Sequence, residues 1–142
     1  MIETSVEGLA RKPLSAVFSY IWNLESMTEY NSSVKHSRRI SDSDTGLPVF
    51  EISVGFELFQ LKNLYKVESF EKDRFFSASC ESSAVYFKDF YEFTEQADGT
   101  YIRISDRMEL KGLLKLAEPV VRNNMKHQMQ ENMNRLLQIL NQ

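Results

Sequence analysis

The chain has 142 residues, 42% of them hydrophobic, with a formal net charge of -3. That length suits one domain with one core and room for a cavity. Mixed charge with a slight acidic excess argues against a nucleic-acid or anionic-membrane surface. The one cysteine, Cys80, rules out an intrachain disulfide and suits a reducing compartment. The opening Met1-Ile2-Glu3-Thr4 lacks the basic and apolar stretches of a secretion signal, and no apolar run is long enough to span a membrane. A cytoplasmic location is therefore expected.

Ile2, Thr4 and Val6 alternate with polar residues and predict a first strand. Pro13 suits the first turn of a helix, and Leu14, Val17, Phe18, Ile21 and Trp22 follow at helical spacing. Met27 to Tyr30 reads as a second short helix with Ser26 as its N-cap. From Val34 to Leu110 the period changes to two, giving six strands in series. Two-residue turns at Phe59-Gln60, Lys72-Asp73, Ser83-Ala84 and Asp98-Gly99 would pair Val54 with Tyr65, Val67 with Ala78, Phe76 with Tyr91 and Phe93 with Ile104. Each pairing sets the more apolar face of one strand beside that of the next.

The last thirty residues carry an apolar stripe of Leu114, Ala117, Val121, Met125, Met129, Met133, Leu136 and Leu140, which predicts an amphipathic helix laid on the sheet. Pro119 stands within it, and a proline inside a helix costs about 3 kcal/mol. A short turn over Leu113 to Glu118 leading into the main helix accommodates it.

The order strand, two short helices, six-strand meander, long helix resembles the helix-grip fold of the START-like (SRPBCC) superfamily, which holds polyketide cyclase/dehydrase and lipid-transport proteins. Pro13 to Glu25 resembles the family's first helix, with Asn23 where an Asp is usual and Tyr30 where Trp is frequent. Leu110 to Val121 resembles its entry to the last helix. The resemblance implies an α+β domain over residues 1–142, a curved seven-stranded antiparallel sheet wrapped around the C-terminal helix, with a ligand cavity between them.

By the register above, the inward face carries Ile52, Val54, Phe56, Tyr65, Val67, Phe76, Phe93, Ile104 and Met108, and the helix adds Val121, Met125 and Met129. Asn63, Asp89, Tyr91 and Asp106 share that parity, with Asp106 expected opposite Tyr91 and Asp89 opposite Met108. A buried carboxylate needs a donor or a raised pKa, and the Tyr91 hydroxyl is the nearest donor expected for Asp106. These positions, Val67 excepted, form the candidate ligand-binding set. Cys80 shares the parity and is expected to pack as a small hydrophobe, while His36 and His127 match no metal spacing. Arg38 is expected as a solvated edge-strand charge.

The function that the resemblance implies is binding or transport of a hydrophobic small molecule such as a lipid, an isoprenoid or a polyketide-like aromatic. No cofactor and no nucleic-acid partner is expected, and no oligomeric state is implied. Two alternatives stay open. One is a polyketide cyclase or aromatase, with Tyr65, Asp89, Tyr91 and Asp106 as acid–base groups, although they match no catalytic motif of that family. The other is a protein-interaction module of the Hsp90-activator type, marked by an exposed apolar patch.

Overall fold

The computed structural model describes residues 1–56 and 59–142. The elements in chain order are β1 (Ile2–Ala10), α1 (Leu14–Trp22), a 3-10 turn at Leu24–Ser26, α2 (Met27–Tyr30), β2 (Val34–Asp42), β3 (Pro48–Phe56), β4 (Phe59–Glu71), β5 (Phe75–Glu81), β6 (Val85–Gln96), β7 (Gly99–Leu110), a second 3-10 turn at Gly112–Ala117 and α3 (Glu118–Leu140). All seven strands form one antiparallel sheet in the order β1-β7-β6-β5-β4-β3-β2. The meander runs to one edge, and the first strand closes the other beside the last. No helix among the described residues is long and apolar enough to cross a membrane.

The helix α3 grips the sheet by its two edges. Its 23 residues span about 34 Å at 1.5 Å each, close to the roughly 30 Å of a nine-residue strand. It runs alongside β1 from end to end. Glu118 meets the Met1 ammonium at 3.1 Å, Lys126 donates to the Ser5 carbonyl at 2.7 Å, and Asn141 accepts from the Arg11 amide at 2.7 Å. Gly8 lets the helix come this close: a Cβ there would lie 2.6 Å from Leu137 Cδ1. On the far side, the Gln128 amide donates to the Ser32 hydroxyl and Arg135 Nε to the Glu29 carbonyl, which ties α3 to α2 and to the segment that follows it.

Burial along α3 is uneven. Met133, Leu136 and Leu140 are buried, and Val121, Met125 and Met129 are only half-buried. Three buried side chains at about 1.5–3 kcal/mol each hold the C-terminal half down. Pro119 sits in the first turn of α3, where its missing N–H breaks no helical bond, so the cost expected for an interior proline does not arise. The stripe ends early: Leu114 is exposed, as are Leu113, Leu116 and Val120. The 3-10 segment points its leucines outward because it has no sheet beneath it.

Several register details depart from the sequence reading. Val54 pairs with Leu61 and Tyr65 with Phe50, while Phe59 and Gln60 belong to β4 rather than to the turn. The β4–β5 loop takes three residues, Lys72 to Arg74, with Asp73 at φ 62. Phe93 pairs with Ile102 and Tyr91 with Ile104, because the last turn is Ala97-Asp98 and Gly99 already opens β7. The pairs Val67–Ala78 and Phe76–Tyr91 stand as expected. Ser26 does not cap α2; its hydroxyl donates to the Tyr20 carbonyl, and Asn23 caps the preceding 3-10 turn through the Glu25 amide.

Register shifts in β2 and β4 change which way side chains point. A shift between Val34 and His36 turns Ser37 inward opposite Ile52 and leaves His36 and Arg38 exposed, with Arg38 3.7 Å from Glu51. A second shift between Val67 and Ser69 sets Phe70 opposite Phe76, on the side of α1. There Trp22 lies 4.3 Å from Phe70 and Phe18 lies 5.1 Å from Phe93, ring centre to ring centre. The aromatic end of the core sits under α1.

Candidate functional site

The candidate site is the inward face of β4 to β7 beyond that aromatic end. Alternation on β6 puts Phe87, Asp89, Tyr91 and Phe93 on one side, and on β7 it does the same for Ile102, Ile104, Asp106 and Met108. The observed register sets Asp106 directly opposite Asp89, and Met108 opposite Phe87. This corrects the expected pairing of Asp106 with Tyr91. The slip is two residues, so every side chain keeps its face, but two carboxyl groups now face each other.

Tyr65 on β4 donates to Asp89 Oδ2 at 2.5 Å, and its hydroxyl lies 3.0 Å from that of Tyr91. Tyr91 in turn stacks on Phe76 with ring centres 4.2 Å apart and reaches Met27 Sδ at 4.0 Å. Tyr91 therefore serves Tyr65, not Asp106. Asp106 Oδ1 and the Tyr30 hydroxyl are both buried without a hydrogen-bond partner. Such groups forfeit about 1–3 kcal/mol each unless something joins them.

Electrostatics sort the two acids into different roles. Burial first, and then the neighbouring Asp89 charge, push the Asp106 carboxyl far above the usual carboxylate range. Burial also raises Asp89, but the Asp106 proton and the Tyr65 hydroxyl both stabilise its charged form. Asp89 keeps a solvent-accessible edge, whereas Asp106 is 7% exposed. Within the pair the proton is accordingly held more firmly on Asp106 than on Asp89. The same surroundings lift the hydroxyls of Tyr65 and Tyr91, burial being the largest cause, so both stay protonated as donors. Burial and then the Asp89 charge push the Cys80 thiol up to about 11, which leaves it a buried, unreactive hydrophobe.

Of the expected site residues, Tyr65, Asp89, Tyr91 and Asp106 come together as one cluster. Ile52 is buried, and Val54 and Asn63 are half-buried nearby on β3 and β4. Phe76 and Phe93 belong to the aromatic packing under α1. Ile104 and Met108 on β7 are half-buried, as are Val121, Met125 and Met129 on α3. The side chain of Phe56 lies outside the described residues. Two members had not been expected. Phe87 shares the parity of Asp89 and was open to discovery by alternation alone. Tyr30 arrives from α2, and strand periodicity carries no signal for it.

Two clefts lie elsewhere on the surface. One of about 420 Å³ covers Phe75, Phe90, Glu92, Thr94, Arg103 and Ser105, the outward side of β5 to β7. The other, of about 320 Å³, lies between Met1, Glu109, Leu110, Lys115 and Glu118 at the start of α3.

A curved antiparallel sheet gripping a C-terminal helix, with short helices after the first strand, is the START-like helix-grip fold. Solved structures agree. The chain superposes on TTHA0849 from Thermus thermophilus with a TM-score of 0.80 at 14% identity, over 96% of this chain and 94% of that one. A START superfamily protein from Mycobacterium smegmatis gives 0.77 at 12% identity, over 98% and 95%. The di-domain ARO/CYC protein StfQ, from the steffimycin biosynthetic pathway, gives 0.76 at 8% identity; this chain covers 50% of it. No protein-family model and no curated protein sequence matches the chain. At these identities the likeness is one of fold.

Proposed function

We propose that this protein binds a hydrophobic small molecule between the N-terminal half of α3 and the inward face of the sheet. The observation that carries the reading is the contrast along α3. Met133, Leu136 and Leu140 are buried against the core, while Val121, Met125 and Met129, on the same stripe, are only half-buried, and the inward face of the sheet carries a polar cluster with an unsatisfied Asp106 oxygen. Methionines adapt to irregular apolar shapes, and Met108 on β7 adds to them. Val54, Ile104 and Phe87 complete the apolar lining, and Asn63, Tyr65, Asp89, Tyr91 and Asp106 orient the polar end of the ligand. Space left unfilled between apolar side chains costs roughly 24 cal/mol per Å³, part of which a bound apolar molecule recovers.

The test is fluorescence of N-phenyl-1-naphthylamine, an uncharged hydrophobic dye, titrated with the protein. The reading expects saturable enhancement with one dye per chain, lost in Met125→Trp, which would fill the space from the helix side. Enhancement that survives Met125→Trp unchanged, or none at all, refutes it.

A second reading, a cyclase-type enzyme, is favoured by one observation: a proton-sharing acid pair with tyrosines is the kind of group that enolises a ketone. Turnover of a polyketone surrogate that falls in Asp89→Asn would support it.

A further inference from the structure

Among the described residues the acid pair has no counter-charge. None of the ion pairs among the described residues includes Asp89 or Asp106. Lys88 and Arg107, neighbours on the same two strands, point to the opposite face and pair with Glu68 and Glu3. Arg122 and Lys126 on α3 are engaged by Glu118 and the Ser5 carbonyl, and Arg135 by the Glu29 carbonyl. Among the described residues, the titratable groups that face the pair are Tyr65 from β4, Cys80 from β5, Tyr91 from β6 and Tyr30 from α2, all neutral. From β1, Thr4 opposes Asp106. The two unpartnered atoms, Asp106 Oδ1 and the Tyr30 hydroxyl, belong to side chains that are 7% and 6% exposed. Tyr30 lies close enough to Asp89 to feel its charge. The cluster thus offers several acceptor oxygens on a carboxyl pair that shares a proton, next to two aromatic side chains, Tyr65, which donates to Asp89, and Phe87, whose ring centre is 5.9 Å from that of Tyr65.

We propose that the polar end of the ligand is a protonated amine, held between Asp89 and Asp106 with its apolar body along the methionines of α3. This rests on the hydrophobic-ligand reading above and narrows it to one class. An ammonium group carries three N–H donors, which suit Asp89, Asp106 Oδ1 and the Tyr30 oxygen, and aromatic faces attract cations. An alcohol brings a single donor and no charge. A carboxylate would meet the Asp89 charge with its own.

Proton balance gives a signature. Without a cation beside it, Asp106 keeps a proton shared with Asp89. With an ammonium between them, both carboxyl groups ionise and Asp106 gives its proton to solvent. One proton leaves per amine bound, and no bond in the ligand is made or broken.

The experiment compares octylamine, 1-octanol and octanoate by isothermal titration calorimetry at pH 7, in phosphate and in Tris, whose ionisation heats differ. The expected result is that octylamine binds at least about tenfold more tightly than octanol, or about 1.4 kcal/mol, and that octanoate binds more weakly than octanol. The amine's heat should depend on the buffer, with release of about one proton per site by linkage. Asp106→Asn should abolish that release, and Tyr30→Phe, which removes only an unpartnered hydroxyl, should weaken the amine alone. Equal affinity for amine and alcohol in the wild-type protein overturns the amine inference and leaves hydrophobic binding standing. No binding of octanol and none of the uncharged dye overturns the parent reading, and the inference falls with it.

Discussion

Replacing Asp106 with asparagine should stabilise the protein at neutral pH, and by an amount that grows with pH. An unfolded aspartate titrates near about 3.9. In the folded chain, burial and the Asp89 charge hold the Asp106 proton on well beyond that point. The folded state therefore binds more protons than the unfolded state above about pH 4, and stability falls as pH rises. The Asp106 contribution is complete below the unfolded pKa and drains away as pH climbs towards the raised folded value. The slope is at most about 1.4 kcal/mol per pH unit, so from pH 5 to pH 7 the ceiling is about 3 kcal/mol. Coupling to Asp89, which retains access to water, brings the working figure to about 1–2 kcal/mol. Asparagine keeps the shape, donates an N–H to Asp89 and has no proton to lose. Urea denaturation of both proteins at pH 5, 6, 7 and 8, followed through the single tryptophan, Trp22, packed beside Phe70, reads the difference directly. Other titrating groups, such as Glu68, whose carboxyl is held low mainly by Lys88, cancel between the two proteins. A stability difference that stays constant with pH, or a wild type that gains on the variant as pH rises, would refute the proton-sharing pair.

Tyr65→Phe removes the donor to Asp89 and a partner of Tyr91, and should cost about 1–3 kcal/mol in urea melts, more at pH 8 than at pH 5 because the lost hydrogen bond favoured the charged form. Gly99→Ala should be more damaging than its surface position suggests. Gly99 has φ 149 and a Cβ there would lie 2.1 Å from the Ala10 carbonyl oxygen, so backbone must move; about 2–4 kcal/mol, or a clear drop in Tm, is expected.

How far the fold could be read from the residues depends on what periodicity can and cannot see. Alternation assigns Tyr65, Asp89, Tyr91 and Asp106 to one face whichever even register applies, and the structure keeps all four there. It has no means of telling a turn at Asp98-Gly99 from one at Ala97-Asp98. That two-residue difference decides whether Asp106 meets a tyrosine or another acid. Odd shifts are worse, because the bulges near Lys35 and Glu68 reverse the parity of the residues beyond them without leaving a mark in composition. Pro119 was legible as a boundary but not as the first turn of the helix it opens. Tyr30 reaches the acid cluster through tertiary folding, which local pattern does not encode.

The most direct test of the account is a titration of methyl-13C-methionine protein with the uncharged dye, followed by NMR. The six methionines are Met1, Met27, Met108, Met125, Met129 and Met133. Binding between α3 and the sheet predicts saturable shifts at Met108, Met125 and Met129 and little change at exposed Met1. Shifts confined to Met1, or methyl signals that stay put while the dye binds, would contradict it.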